Sequence, residues 1–513
     1  MYPIDSKGVR RRWWKAGVSM LAVMAPAPAA AQNTDLAALL NAQQEQIRQL
    51  QQQLQSLQEQ IRAEQAQRIA AATPPASAAA APVTAAVADD APKVVKTPNN
   101  RFFLSSADGE NTVGLTGRLH LDAGDYVDVR PASKATGPGD LSSGFNARRA
   151  RIGVTGKVAG NFNYAFIYDA GNSQDNTPRG IQTAQIAYSG LPNTAIEFGY
   201  SDTFFSLDEA TSSNDVMFLE RATPSVVATG IAAGDFRSNA GVRNWSDRYW
   251  IGAYATGPGQ GQAHNLTAEQ FGAYQRATYQ IFQGADYSVH LGVGASELLK
   301  APNTGPGTAN ALTLSDAPEL RIDNTALLST GALGTIANPV TGAKIYNLET
   351  AAGFRSLFFQ GEYFHYDIDR RGLAAASFDG GYGEASWTVT GESRKYNPAT
   401  GSYSGIVPDH PFSISRGGWG AWEIAARIST VSLVDNFIAG KSLASQPSAV
   451  DGGRQTNFTL GLNWYVNSNM RYMLDWVHGG FDRANPTAVP GAPLGSQIGT
   501  DFDAIAIRAQ VAF

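Results

Sequence analysis

From about Arg101 to Phe513, apolar and polar residues alternate with a period of two, the pattern of strands whose two faces meet different surroundings. VGLTGRLHL sets Val113, Leu115, Gly117, Leu119 and Leu121 on one face, with Thr116, Arg118 and His120 on the other. RRARIGVTGKV alternates Ala150, Ile152, Val154, Gly156 and Val158 against Arg149, Arg151, Thr155 and Lys157. The same parity leaves Arg148 on the apolar side, at a rim. FNYAFIYD sets Phe162, Tyr164, Phe166 and Tyr168 against Asn163, Ala165 and Asp169. Later strands repeat the pattern, down to IAIRAQVAF, where Ile505, Ile507, Ala509, Val511 and Phe513 share a face. Short turns (VAGN, GLPN, WSDR, FQGAD, VNSNM) alternate with long loops rich in Gly, Pro and Asn. Short turns at one end and long loops at the other mark an outer-membrane barrel, and counting strands this way gives about sixteen. A soluble barrel, sandwich or propeller would alternate equally well with its apolar face inward. The period alone does not say which face is wet.

Two other patterns precede the alternation. Between residues 35 and 69, Leu36, Leu40, Gln43, Ile47, Leu50, Leu54, Leu57 and Ile61 are spaced alternately by four and three. That heptad seam predicts an α-helical coiled coil, with a solvated polar helix or a Gln-rich disordered tract as the competing readings. Residues 70–98 are Ala, Pro, Val and Thr without a period and read as a linker. At the start, Arg10, Arg11, Arg12 and Lys15 precede a short apolar stretch and Ala29-Ala30-Ala31. Residues 1–31 therefore read as a secretory signal peptide.

Composition agrees with this division. Charged residues make up only 16%, against roughly 25% in average usage. No later run of about 18 apolar residues predicts a membrane helix. With 53 glycines and 10% aromatics, the profile is one of many short strands. The absence of cysteine excludes disulfides and thiolate metal sites. Removing residues 1–31 takes away five basic residues and one acid, so the formal net charge of −5 becomes −9. Such a chain has no global basic field for nucleic acid. Enzyme chemistry is not indicated either. His120, His264, His290, His365, His410 and His478 show no ligand spacing, and no G-x-S-x-G, H-E-x-x-H or phosphate loop occurs. Asp367 and Asp369 of YDIDRRG lack the further ligands of a calcium site and read as part of a solvated loop. No cofactor or metal is expected.

Several stretches occur in order: RRARIGVTGK (148–157), FSLDEATSSNDVMFLERATP (205–224), PELRIDNT (318–325), GAWEIAARIS (420–429), GLNWYVNSNMRYMLDWVHG (461–479) and the terminal IRAQVAF. Over residues 101–513 the chain resembles the phosphate-selective porin O/P family of Gram-negative outer membranes. The resemblance implies a homotrimer of 16-stranded antiparallel transmembrane β-barrels in outer-membrane lipid, each barrel with its own pore. The coiled coil would then lie in the periplasm. It also implies that the third external loop folds into the lumen. Residues 205–224 fall in that loop, which makes Asp208, Glu209, Asn214, Asp215 and Glu220 constriction residues. The terminal phenylalanine resembles the signal read by outer-membrane assembly machinery.

Selectivity follows from charge where the pore is narrow. On the polar face, Arg118, Arg149, Arg151, Lys157, Arg243, Arg276, Arg427, Arg471 and Arg508 stand against Asp122, Asp169, Glu197, Glu349, Glu362, Glu384, Glu423 and Asp475. That is near balance, so placement decides. Arg149 and Arg151 match the family's arginine-rich second strand, and Arg221 is the only base in the quoted loop. With Arg118, Arg243, Arg276 and Arg427 they form the expected anion-binding set. Two departures oppose phosphate selectivity: Asn214 follows TSS where relatives often carry a base, and GYSDTFF lacks one too. The expected function is passive diffusion of small hydrophilic solutes, anions such as phosphate among them. The alternative is an envelope tether with a plugged barrel.

Overall fold

The computed structural model describes residues 92–96, 102–135, 141–171, 179–232, 234–259, 268–284 and 286–513, together with Gln49, Gln52 and Ser56, which are helical. The signal segment, the rest of the heptad seam and most of the linker lie outside these residues. The chain divides into two units, Met1–Val87 and Ala88–Phe513, and the second is the barrel.

Sixteen strands form its wall. They are β1 Thr112–Pro131, β2 Gly144–Val158, β3 Phe162–Asp169, β4 Gly180–Tyr188, β5 Thr194–Asp202, β6 Phe236–Trp245, β7 Tyr249–Thr256 and β8 Phe271–Gln283. The wall continues with β9 Tyr287–Lys300, β10 Val340–Phe354, β11 Leu357–Arg370, β12 Ala376–Thr388, β13 Ala421–Asp435, β14 Val450–Tyr465, β15 Met470–Asp482 and β16 Thr500–Ala512. Neighbours in sequence pair antiparallel, and β16 pairs with β1, so the sheet closes and no wall edge is left bare. The seam reaches the last residue: Gly117 N–H donates to Phe513 O at 2.9 Å and Phe513 N–H to Gly117 O at 3.0 Å. The Phe513 ring lies over Gly117, where a Cβ would sit 2.3 Å from it. At the end of the expected linker, Lys93–Lys96 is a strand that pairs with Phe102–Ser105, and the latter pairs with β1.

The structure decides which face is wet. Leu115, Leu119, Leu121, Ile152, Val154, Phe198 and Ile507 point outward and are exposed, while Arg149, Glu197, Arg276, Glu349, Glu423, Arg427 and Arg508 are buried inside. A soluble barrel would reverse this. The outward apolar run also stops at a common level near the long-loop end. It passes from Ile505 to Asp503 on β16, from Trp476 to His478 on β15, and from Tyr363 to His365, Asp367 and Asp369 on β11. An outward apolar band with such an edge is a feature of transmembrane barrels. Asp367 and Asp369 therefore belong to a strand rather than the solvated loop read from YDIDRRG.

Six connections at one end are short: 159–161, 189–193, 246–248, 284–286, 355–356 and 466–469. The seventh, 389–420, breaks the alternation that the sequence suggested. It turns back into the barrel as a hairpin, Tyr396–Asn397 against Ser402–Tyr403. Tyr403 is buried there against Phe358 and Tyr396. From the opposite end, segment 301–339 also enters, carrying its own hairpin, Thr313–Asp316 against Leu328–Ala332.

The candidate pore and its constriction

Loop 203–235 leaves β5 and crosses the barrel interior. Ser206 caps a single turn, α1 (Leu207–Ala210), by accepting from Glu209 N–H at 3.3 Å. The free N–H groups of Leu207 and Asp208 donate to the Glu362 carboxylate of β11, at 2.8 and 2.9 Å. A carboxylate at a helix start satisfies donors that the helix cannot. The chain then runs to α2 (Thr223–Gly230), which starts with Pro224 in its first turn.

Between the helices the loop is fastened to the far wall. Leu219 N–H donates to Asp475 on β15 at 2.8 Å. Arg427 of β13 donates to Glu220 O at 2.9 Å, and Arg471 of β15 to Val216 O at 2.7 Å. Asn463 of β14 donates to Met217 O at 2.9 Å, and Gln510 of β16 to Asn214 O at 3.1 Å. Leu207, Met217 and Phe218 pack with Ala351, Phe358, Tyr403 and Ala425 beneath them. Residues on β11 and β13–β16 thus fasten the loop to the wall.

The acids of the loop are neutralised where they stand. Glu220 receives a two-point bond from Arg148, Nε to Oε1 and Nη2 to Oε2, both 2.7 Å, and a third from Arg508 at 2.9 Å. Arg221 faces Asp208 at 3.1 Å and Glu209 at 3.5 Å. Burial pushes the Glu209 carboxyl well above the usual carboxylate range, opposed by Arg221. Burial likewise raises Asp215, opposed by Arg394 and Arg118.

Arg148 is turned inward and fully buried, not at a lipid-side rim as strict alternation indicated. The register explains it. His120 faces Arg149 and Leu121 faces Ala147, so Arg148 is an extra residue in β2. Such a bulge sets two consecutive side chains toward the same side. Arg148→Ala would leave the buried Glu220 carboxylate with Arg508 alone, at a cost of about 1–3 kcal/mol. The expected result is a lower urea midpoint for the folded barrel. An unchanged midpoint would show that the bulge arginine does not clamp the loop.

The remaining wall charges pair locally. Arg508 bonds Asp122 through two contacts of 2.7 Å, Arg276 bonds Glu349 at 2.7 and 2.9 Å, and Arg243 bonds Glu197 at 3.0 Å. Arg151 bonds Asp169 at 2.7 Å, and Arg427 bonds Glu319 of segment 301–339. Much of the near balance counted along the sequence is therefore ion pairs, while Arg471, Glu362 and Asp475 bond the backbone of the loop.

Two polar cavities remain beside the loop. One, about 260 Å³, is lined by Arg118, Arg149, Arg151, Arg221, Asp202, Asp235, Gln182, Ser212, Ser213, Asn214 and Thr400, among others. The second, about 190 Å³, lies toward the short-turn end, lined by Asp215, Asn467, Ser468, Asn469, Arg471 and Gln510. Both include Arg118, Ser212 and Asn214, which stand between them at the candidate neck. Arg118 donates to Ser213 Oγ, and to Ser212 Oγ at 3.2 Å. His120 bridges Asn214 Oδ1 at 3.1 Å and Arg149 at 3.4 Å. A guanidinium supplies no acceptor, so His120 Nδ1 accepts and its Nε2–H donates to Asn214.

The structure therefore brings four expected bases, Arg118, Arg149, Arg151 and Arg221, to one cavity. Arg243, Arg276 and Arg427 face the lumen but lie outside this cavity's lining. Of the constriction residues, Asn214 stands at the neck and Asp215 on the second cavity, while Asp208, Glu209 and Glu220 line neither. Sequence reasoning missed Arg148, Asp235, Glu319 and Arg394. The last links β13 to the loop, bonding Glu423 at 3.0 and 2.9 Å and Asp215 O at 2.6 Å.

Residues 113–513 match the family described as phosphate-selective porin O and P. The chain belongs to that family. It is 22% identical to Porin O of Pseudomonas aeruginosa over 408 residues, 77% of this chain and 89% of that protein. An uncharacterized protein of Caulobacter vibrioides is 26% identical over 388 residues, 72% of this chain and 68% of that one. Among solved structures, the trimer form of OmpT, an outer membrane protein of Vibrio cholerae, aligns with a TM-score of 0.46 at 12% identity, covering 79% of this chain and 99% of that one. An anion-selective porin from Comamonas acidovorans aligns with a TM-score of 0.42 at 11% identity, covering 79% and 100%. As a member of the porin O and P family, the chain forms an outer-membrane barrel of the channel-forming type, with loop 203–235 lying across its lumen.

Proposed function

We propose that this porin passes small hydrophilic anions by diffusion, through the neck at Arg118, Ser212 and Asn214. The observation that carries the reading is the charge of the cavity above the neck: four arginines, Arg118, Arg149, Arg151 and Arg221, against Asp202 and Asp235. Within this set Arg151 is paired with Asp169 and Arg221 with Asp208, while Glu220 is held by Arg148 and Arg508 and burial raises the Glu209 carboxyl. Fixed positive charge at a narrow point favours anions. Hydroxyls of Ser212 and Ser213 beside Arg118 suit an oxyanion such as phosphate, in keeping with the family's name. The work of such a site is electrostatic, not catalytic, and needs no cofactor.

The test is the zero-current potential of purified protein in a planar bilayer under a potassium chloride gradient, with and without phosphate. An anion-selective potential that phosphate reduces is expected. A cation-selective one would end the proposal. The in-folded segment 389–420 supports the second reading, a plugged barrel serving as a tether; it predicts no single-channel currents at all. In either case we read the native protein as a homotrimer in outer-membrane lipid, with the seam of residues 35–69 as a periplasmic coiled coil. Linked helices would raise one another's effective concentration.

A further inference from the structure

After its in-folded hairpin, segment 389–420 comes back out and passes over the rim of the wall. Ser413 and Gly418 close a small second hairpin through paired backbone bonds of 2.9 and 3.2 Å. This hairpin lies outside the barrel, not in the lumen. Phe412 packs edge-on against Trp464, with ring centroids 5.3 Å apart. Trp464 Nε1–H donates to Trp419 O at 2.9 Å, and Phe412 N–H to Val466 O at 2.8 Å. Trp464 is itself the middle of a stacked row on the outward face: Trp422 lies 5.4 Å from it and Tyr472 5.7 Å, nearly parallel. They lie at the short-turn end of the outward faces of β13, β14 and β15, below Ile424, Leu462 and Leu474. A row of Trp and Tyr at the end of an apolar band is where a barrel meets lipid headgroups.

The hairpin extends that row with side chains that the described residues leave largely uncovered. Ile414 is 91% exposed and Trp419 73%, and Val407 and Phe412 are exposed beside them. Arg416 is exposed at the hairpin's turn, next to Gly417 at φ +72. In water this arrangement is costly, because large apolar side chains at a tip gain nothing from burial. At a headgroup boundary it is favourable. An apolar face there enters by roughly 5–10 Å while a basic residue stays with the phosphates.

We propose that hairpin 411–419 is a lipid anchor that dips into the leaflet facing the short turns. Ile414, Phe412 and Trp419 would reach the acyl boundary, with Arg416 at the level of the anionic headgroups. The occupant is phospholipid, not another polypeptide, because the exposed residues are continuous with the aromatic row that already meets lipid. The anchor would hold the mouth of segment 389–420 at the membrane surface while its other end stands in the pore.

The chain has no cysteine, so single labels report cleanly. A nitroxide is attached at Ile414→Cys, with Leu462→Cys as the lipid-facing control and Ser468→Cys as the aqueous-turn control. Proteins are reconstituted in vesicles of phosphatidylethanolamine and phosphatidylglycerol, and barrel folding of each variant is confirmed by heat-modifiable mobility. Collision with oxygen is compared with collision with a water-soluble nickel chelate. The expected result is preference for oxygen at 414, of the same sign as at 462. Preference for nickel, as at 468, would overturn the proposal. Shielding from both reagents would overturn it too, since it would mean that a second polypeptide covers the hairpin.

Discussion

Replacing Arg118 and Arg149 together by alanine should largely abolish anion selectivity while leaving a folded, conducting barrel. Both line the cavity at the neck, and both reach the constriction loop, Arg118 through Ser212 and Ser213 and Arg149 through His120 to Asn214. A permeating anion there meets each guanidinium across a few ångströms of a narrow, partly wet space. Two unit charges 4 Å apart interact by about 1 kcal/mol in bulk water and about 4 kcal/mol near a protein surface. Taking about 1 kcal/mol for each arginine, the pair accounts for about 2 kcal/mol, or about 30-fold in the anion-to-cation permeability ratio. The effect should shrink at high salt, because screening shortens the reach of any charge in contact with electrolyte. The measurement is the reversal potential of the double variant beside Arg130→Ala. Arg130 lies exposed on the outside, bonded to Asp128 and Asp503, and removes the same kind of charge far from the neck. An equal shift in both variants would show that overall charge, not the neck, sets selectivity.

The wall was legible in the sequence because a period of two is a strong signal and a transmembrane strand is long enough to display it. Trp422, Ile424 and Ile428 against Glu423 and Arg427 read correctly from the chain alone. Periodicity could not say which face was wet, and it fails wherever one residue is inserted. Arg148 is the instance: one extra residue in β2 moves it from the lipid side to the centre of the loop's clamp. Counting charges could not find the site either. Nine bases against eight acids is near balance, and the informative quantity is which bases the fold brings to the cavity, since bonds form across hundreds of residues. Arg427 with Glu319 and Arg394 with Asp215 O are bonds of that kind. The in-folding of segment 389–420 was invisible for a related reason. Its Tyr, Asn, Gly and Ser composition resembles a surface loop, and lumen contacts such as those of Tyr403, Ser402 and Arg394 distinguish it.

That segment gives the second large expected effect. Excising residues 396–403 and joining Lys395 to Ser404 through an Asn-Gly turn should raise single-channel conductance. The join is geometrically available, because Ser404 N–H already donates to Lys395 O at 2.8 Å, and Asn-Gly favours a two-residue hairpin turn. The excision removes the hairpin that stands under the constriction loop, where Ser402 Oγ–H donates to Ala210 O at 2.9 Å and Thr400 lines the main cavity. It also removes the carbonyls of Thr400 and Gly401 from Arg276, and that of Ala399 from Arg243. Both arginines keep their carboxylates, Glu349 and Glu197, so no buried charge is left without an ion partner. The barrel should therefore fold. Two strands at a spacing of about 4.8 Å leave the lumen, so the gain should be about one and a half to twofold. The reversal potential should barely move, since Arg118, Arg149 and Asn214 stay in place on the opposite side of the lumen. Conductance and selectivity would then separate, with the hairpin setting the width of the pore and the two arginines its sign. Unchanged conductance would place the limiting width entirely at the neck. A large loss of selectivity would mean that the hairpin, by pressing on α1, also positions the loop against Arg118.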